Sequence, residues 1–233
     1  MTRPVPTGAW RTGTVREIDH PNAHAVVLRL EVPDRIDHVP GQHYAIRLTA
    51  EDGYVAQRSY SIASAPADKL LEFYIERLDD GEVSTFLADV VEIGDELALR
   101  GPIGGWFVWQ ADTPALGVAG GSGAVPLVAM LRHARNIERT ELLSLAVSAR
   151  SLDRLPYPDE LVDAGAVIAL TRQDYRTRRA ARLSAADLTT SVPADGPCFV
   201  CGSSGFAEAA TDLLRAVGVD DTRIRVERFG PTG

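Results

Sequence analysis

The sequence predicts two domains of different grammar: an antiparallel β-barrel, then a doubly wound parallel α/β sheet of five strands. Three observations predict it. Up to about residue 107, short runs rich in β-branched and aromatic residues recur between Gly, Pro and Asp punctuation. Beyond it, strand-length apolar runs alternate with helical ones. A glycine-rich turn, Gly120-Gly121-Ser122-Gly123, joins the first strand of the second half to its first helix, where an open parallel sheet takes a ligand. The composition shift at Gly104–Thr113 sets the expected domains at 1–107 and 108–233.

In the first half, strands are expected over Thr12–Ile18, Ala25–Val32, His43–Thr49, Arg58–Ser64 and Leu70–Arg77. Pro33-Asp34, Pro40-Gly41, Asp52-Gly53 and Asp79-Asp80-Gly81 punctuate them. One helix follows, with Ser84 as its expected N-cap and Phe86, Leu87, Val90 and Val91 at helical spacing. A strand over Glu96–Arg100 then closes at Gly101-Pro102. In the second half the expected strands are Leu116–Ala119, Leu142–Val147, Ala166–Leu170, Pro197–Cys201 and Arg223–Arg228. Helices over Val125–Arg135, Tyr157–Ala164, Ala185–Thr189 and Phe206–Val217 lie between them.

The chain of 233 residues has 24 Lys+Arg against 32 Asp+Glu, a formal net charge of −8. That balance argues against nucleic acid and against an anionic membrane surface as partners. Two cysteines, Cys198 and Cys201, cannot hold a four-cysteine iron–sulfur cluster or a zinc site, so no metal is expected. No apolar leader opens the chain, and the longest uncharged stretch, Thr113–Leu131, is broken by Gly, Pro and Ser. The expected location is cytoplasmic.

Physical chemistry assigns some residues by itself. In the run Arg58-Ser59-Tyr60-Ser61, Arg58 and Tyr60 share one strand face, with Ser59 and Ser61 on the other. An arginine can fork onto a diphosphate, and a tyrosine two residues on can lie against a flat ring. Gly81-Glu82-Val83-Ser84 opens a helix, whose free N–H groups suit an anion. The turn Gly121-Ser122-Gly123 with Pro126 has the spacing G-x-G-x-x-P, which lets a pyrophosphate approach backbone at a helix start, with Pro126 expected at the first helical position.

These pieces, together with Cys201-Gly202, Gly205-Phe206 and Glu227-Arg228-Phe229-Gly230-Pro231, occur in an order that resembles the ferredoxin–NADP reductase family over nearly the whole chain. The tail is most similar to the reductase portion of flavohemoglobins, here without a globin or a fused ferredoxin. The resemblance implies an FAD-binding barrel and a nicotinamide-binding α/β domain. It places Arg58 on the FAD pyrophosphate, Tyr60 against the flavin and Ser61 near flavin N5, with Ser59 between them. Backbone at Tyr74, Ile75 and Glu76 would line the flavin, and backbone at Gly81, Glu82, Val83 and Ser84 would hold the pyrophosphate. Gly121, Ser122, Gly123, Pro126, Gly202 and Phe206 would receive the nicotinamide nucleotide. Cys201 would sit beside the nicotinamide ring, Phe229 would cover a flavin face, and Glu227 would handle a proton or sense a partner. Ser61, Cys201 and Glu227 are thus the catalytic candidates.

Ser148 and Arg150 follow the second strand of the α/β half, and Arg172 follows the third, at the family's positions for the adenosine ribose. Arg176, Arg178, Arg179 and Arg182 come next, with Asp174 the only acid among them. Arginines recognise a 2′-phosphate, so NADPH is expected rather than NADH. The acceptor would be a separate ferredoxin, an oxygenase component, another redox protein or a small molecule. Two other readings stand beside this one. One is a non-catalytic flavin subunit that relays electrons inside a larger complex. The other is an α/β hydrolase with Ser122 as nucleophile, since Gly120-Gly121-Ser122-Gly123-Ala124 nearly matches G-x-S-x-G.

Overall fold

The computed structural model describes residues 8–229. The chain divides into two compact units, Met1–Val108 and Trp109–Gly233. In the first, β1 (Arg11–Asn22), β2 (Ala25–Glu31), β3 (His43–Thr49), β4 (Val55–Ser61), β5 (Leu71–Glu76) and β6 (Glu96–Ile103) form one antiparallel sheet, with α1 (Glu82–Asp89) between the last two. The order is β4-β3-β6-β1-β2-β5. The two edge strands meet through a single bridge, Ile62 to Phe73, so the sheet curls like a barrel without closing. Alternation supplies the core: Leu28, Leu30, Tyr44, Ile46, Phe73 and Leu99 point inward and are fully buried.

Two helix expectations are corrected. The inner stripe of α1 is Val83 and Leu87, continued by Val91 at four-residue spacing. Phe86 and Val90 flank it and are exposed. The N-cap is Gly81, not Ser84. The Ser84 hydroxyl lies inside the helix and ties down the preceding loop, accepting from Leu78 N–H (3.2 Å) and donating to the Gly81 carbonyl (3.1 Å). Position 81 must be glycine, because a Cβ there would lie 2.2 Å from Ser84 Oγ.

The second unit alternates as expected: β7 (Ala115–Gly120), α2 (Ala124–Asn136), β8 (Leu143–Ala149), α3 (Pro158–Asp163), β9 (Val167–Leu170), α4 (Ala185–Leu188), β10 (Cys198–Ser203), α5 (Ser204–Ala216) and β11 (Ile224–Phe229). The parallel order is β11-β10-β7-β8-β9. The chain winds outward from β7 in one direction, then returns to β10 on its other side. The crevice at the carboxyl ends of β7 and β10 is therefore the topological switch point. Helix α5 starts two residues earlier than its apolar spacing suggests, because the Ser203 side chain accepts from Phe206 N–H and caps it. Among the described residues, no helix is long and apolar enough to cross a membrane.

Candidate cofactor sites

In the first unit the candidate residues lie on both edge strands and at the start of α1. On β4, Arg58 pairs across the ladder with Ile46, and Tyr60 with Tyr44. Both therefore face the core side, where Tyr60 packs against the hydrophobic cluster and burial raises its phenol pKa. Arg58 is exposed. It donates to the Gln57 carbonyl (2.7 Å) and forms no ion pair among the described residues. Ser59 and Ser61 pair with Ala45 and His43 on the other face. Ser59 is exposed; Ser61 is buried, and its Oγ has no hydrogen-bond partner. A buried hydroxyl left unpaired costs about 1–3 kcal/mol, so this one is available to a ligand atom.

On β5, Arg77 N–H reaches back to the His24 carbonyl (2.8 Å), and the Glu72 carbonyl accepts from Ala63 N–H (2.8 Å) on the opposite side. By alternation, the peptide groups of Tyr74 and Glu76 point to the outer edge, away from β2. Ile75 differs from its neighbours: its peptide faces β2 and its side chain lies in the core. The first bond of α1 runs from Thr85 N–H to the Gly81 carbonyl (2.8 Å). The N–H groups of Glu82, Val83 and Ser84 precede every helical acceptor, as an anion site requires. The Val83 side chain is in the core, leaving only its backbone to serve. Taken together, an acid-free arginine, a helix start, an edge of peptide groups and an orphaned hydroxyl fit a flavin dinucleotide.

In the second unit, glycines bring backbones together at the switch point. A Cβ on Gly123 would lie 2.3 Å from the Cys201 carbonyl, and one on Gly120 would lie 2.5 Å from the Phe206 ring. Gly202, at φ +154, would carry a Cβ 2.8 Å from the same ring. By contrast, space over Gly121 (φ +56) and over Gly205 is open. Ser122 lies in the one-turn 3₁₀ segment between Gly121 and Gly123. Pro126 is the third residue of α2, not the first.

Next to this crevice, a cavity of about 420 Å³ is lined by Ser148, Thr171, Arg182, Leu183, Ser203 and Phe206, among others. Arg150 and Arg172 flank it at the ends of β8 and β9. Thr171 N–H donates to the Ala149 carbonyl and Arg172 N–H to the Arg150 carbonyl, both at 2.9 Å. Neither guanidinium has an ion-pair partner among the described residues. The structure separates the other arginines of the run. Arg178 is bound to Asp187 and to the Arg182 carbonyl, which pulls the Asp187 carboxyl down to about 2. Arg179 pairs with Asp174 (3.3 Å), and Arg176 lies over the Tyr175 ring. Sequence reasoning missed Ser203 and the wall role of Arg182; a serine directly before a helix was the available signal for the first. In a second groove of similar size, between α5 and β11, Arg215 pairs with Asp212 and Asp221.

Cys201 is fully buried, paired in register with Ala119 on β7 and Glu227 on β11. Burial, with the Glu227 charge added, pushes its thiol pKa well up, so it is a neutral thiol and not a thiolate. Cys198 packs in the core. Phe229 ends β11 opposite Ser203; Gly230 and Pro231 of the terminal motif lie outside the described residues. The hydrolase reading fails on geometry: the one histidine of the second unit, His133, is eleven residues along α2 from Ser122, roughly 16 Å at helical rise.

Burial raises the Glu227 carboxyl to about 7. Its folded pKa therefore lies above its unfolded one. The resulting stabilisation is full below about pH 4.5 and is lost as pH rises through 7. Glu227→Gln should be close to wild type in thermal stability at pH 5 and more stable at pH 8, by about 1–3 kcal/mol after solvent screening. Melting curves at both pH values check this; a difference independent of pH contradicts it.

An open antiparallel barrel that fits a flavin nucleotide, followed by a parallel α/β sheet with a glycine turn at its switch point, is the arrangement of two-domain flavin oxidoreductases. Residues 14–108 match the family model of the oxidoreductase FAD-binding domain. The chain is 25% identical over 95% of its length to the 2-halobenzoate 1,2-dioxygenase electron transfer component of Burkholderia cepacia, covering 68% of that protein. Its structure is similar to the flavohem-like FAD/NAD binding domain of nitric oxide dioxygenase from Vibrio cholerae, with TM-score 0.78, 26% identity, and coverage of 95% and 99% of the two chains. It shares the fold of a ferredoxin NADP+ reductase from Neisseria gonorrhoeae, with TM-score 0.80, 17% identity, and coverage of 94% and 98%. Residues 14–108 thus match an oxidoreductase FAD-binding domain, and the two-unit fold is the one seen in ferredoxin NADP+ reductase-like structures. It spans 68% of the dioxygenase component and 61% of a Vibrio cholerae flavohemoprotein.

Proposed function

We propose that the protein takes reducing equivalents from NADPH and delivers them through FAD to a separate electron acceptor, as the reductase component of an oxygenase or ferredoxin system. When bound, FAD accepts a hydride from the nicotinamide and releases electrons singly or in pairs. The chain's residues bind, orient and shield. Arg58 and the first turn of α1 hold the diphosphate, Tyr60 supports the ring, and the Ser61 hydroxyl offers a hydrogen bond at its edge. The glycine turn at 121–123 and the Cys201-Gly202 pair receive the second dinucleotide, with Arg150 and Arg172 at its adenosine end. The observation that carries the reading is on β4: an acid-free Arg58 and a buried, partnerless Ser61 Oγ three residues apart. The B. cepacia relative, named as an electron transfer component, supports a partner protein as acceptor.

The test is direct. Purified protein should be yellow or take up added FAD, and anaerobic NADPH should bleach the flavin. Colourless protein that takes up no FAD overturns the reading. A bound flavin that stays oxidised under both NADPH and NADH would instead make the chain a relay subunit.

A further inference from the structure

The outer side of α1 carries apolar residues that the fold leaves in water. Phe86 and the C-cap residue Val90 lie four apart, so they are neighbours on the helix surface, 39% and 55% exposed. Ile93, in the turn that follows, is 67% exposed, more than any other large apolar side chain among the described residues. Folding does not need them, because Val83, Leu87 and Val91 already fill the core side of this segment. We propose that this face docks a cationic protein partner, one that presents an apolar centre ringed by lysine or arginine; the proposal stands without the flavin reading above.

Charge selects the partner. From Asp79 to Glu96 the chain has seven acids and no Lys, Arg or His. Arg77 takes two of them, Asp79 and Asp89. Asp80, Glu82, Glu92, Asp95 and Glu96 are exposed and form no ion pair among the described residues. Their field repels nucleic acid, an anionic membrane and a second copy of this chain approaching by the same face. A small cation would leave the apolar residues in water, so the occupant must bring apolar surface together with positive charge. The face is also rigid. Ile93 stands in the turn Glu92–Asp95, where Asp95 N–H donates to the Glu92 carbonyl (3.2 Å) and Glu92 N–H to Asp95 Oδ2 (2.9 Å). Gly94, at φ +101, supplies the left-handed residue of the turn. β1 pins it, with Gly94 N–H on the Val15 carbonyl and Val15 N–H on the Asp95 carbonyl, both at 2.9 Å. Polar residues, Gly and Pro are the usual occupants of such a tip. An isoleucine fixed there is a preformed knob that loses little freedom when a partner covers it.

The experiment titrates the full chain, as purified, with horse cytochrome c by calorimetry at low salt. That probe presents an exposed haem edge ringed by lysines, the chemistry proposed. Wild type should bind it, and affinity should fall about tenfold or more between roughly 20 and 200 mM salt. Ile93→Ser should weaken binding about tenfold, and Phe86→Gln, on the helix, serves as the apolar variant if Ile93→Ser lowers the melting temperature. Glu92→Lys, Glu96→Lys, which flank the turn, should weaken it at least as much. The control is Asp163→Lys, Asp195→Lys, an equal change of net charge at exposed positions of the second unit, which should stay within about threefold of wild type. Wild type that does not bind overturns the proposal. So does a control that loses as much as the turn variant, since the attraction is then to the whole molecule's charge. Unchanged affinity in the folded apolar variant overturns it as well.

Discussion

Arg58→Ala is expected to purify without flavin and to bind added FAD on the order of 100-fold more weakly than wild type, a loss matching one bidentate charge-assisted contact. The argument starts from what Arg58 lacks. Nine described arginines in this chain hold ion pairs with carboxylates, from Arg16 on Glu31 to Arg215 on Asp221, whereas Arg58 donates only to its neighbour's carbonyl. In a protein of net charge −8, an exposed edge-strand arginine without an acid partner is available to an anion that arrives from outside. The side chain is exposed, so its removal leaves no cavity. The melting temperature of the flavin-free form should therefore not move. Arg58→Lys keeps the charge and loses the fork, so it should fall between the two. Full FAD retention in Arg58→Ala removes the pyrophosphate role, and a matching fall in flavin-free stability would make Arg58 a structural residue.

The contrast between Arg58 and Arg178 shows which features were legible in the sequence. Strand alternation, punctuation and the change of period near residue 108 are local, so both architectures and the glycine turn could be read directly. The face shared by Arg58 and Tyr60 was legible for the same reason. What local pattern cannot hold is partnership between distant residues. Arg178 and Arg182 look alike in the run from Arg172 to Arg182, yet Asp187 occupies the first and the second is left in a cavity wall. Ser84 looked like a cap because serine before an apolar run usually is one; the Gly81 carbonyl and Leu78 N–H claimed its hydroxyl instead. The incomplete closure of the first sheet depends on how β4 and β5 meet, and a single bridge at Ile62 and Phe73 has no sequence signal.

The double substitution Arg150→Ala, Arg172→Ala should lower the ratio of kcat/KM for NADPH over NADH by about 100-fold, two charge-assisted contacts at roughly 1.4 kcal/mol each. NADH turnover itself should stay within about threefold, because NADH carries no 2′-phosphate to lose. The backbone bond between Arg172 N–H and the Arg150 carbonyl holds the two residues side by side at the strand ends. Two like charges kept adjacent with no carboxylate between them repel, and a phosphate dianion relieves that repulsion as it binds. Neighbouring Arg178 and Arg179 cannot substitute, since Asp187 and Asp174 already neutralise them. Both sites are open to solvent, so the preference for NADPH should also shrink as ionic strength rises past the point where the Debye length falls below about 8 Å. Wild type with comparable kcat/KM for the two nucleotides would show that the paired arginines face water alone. A double variant that keeps its selectivity would move the phosphate contact elsewhere, with Arg182 the remaining cation in the cavity wall.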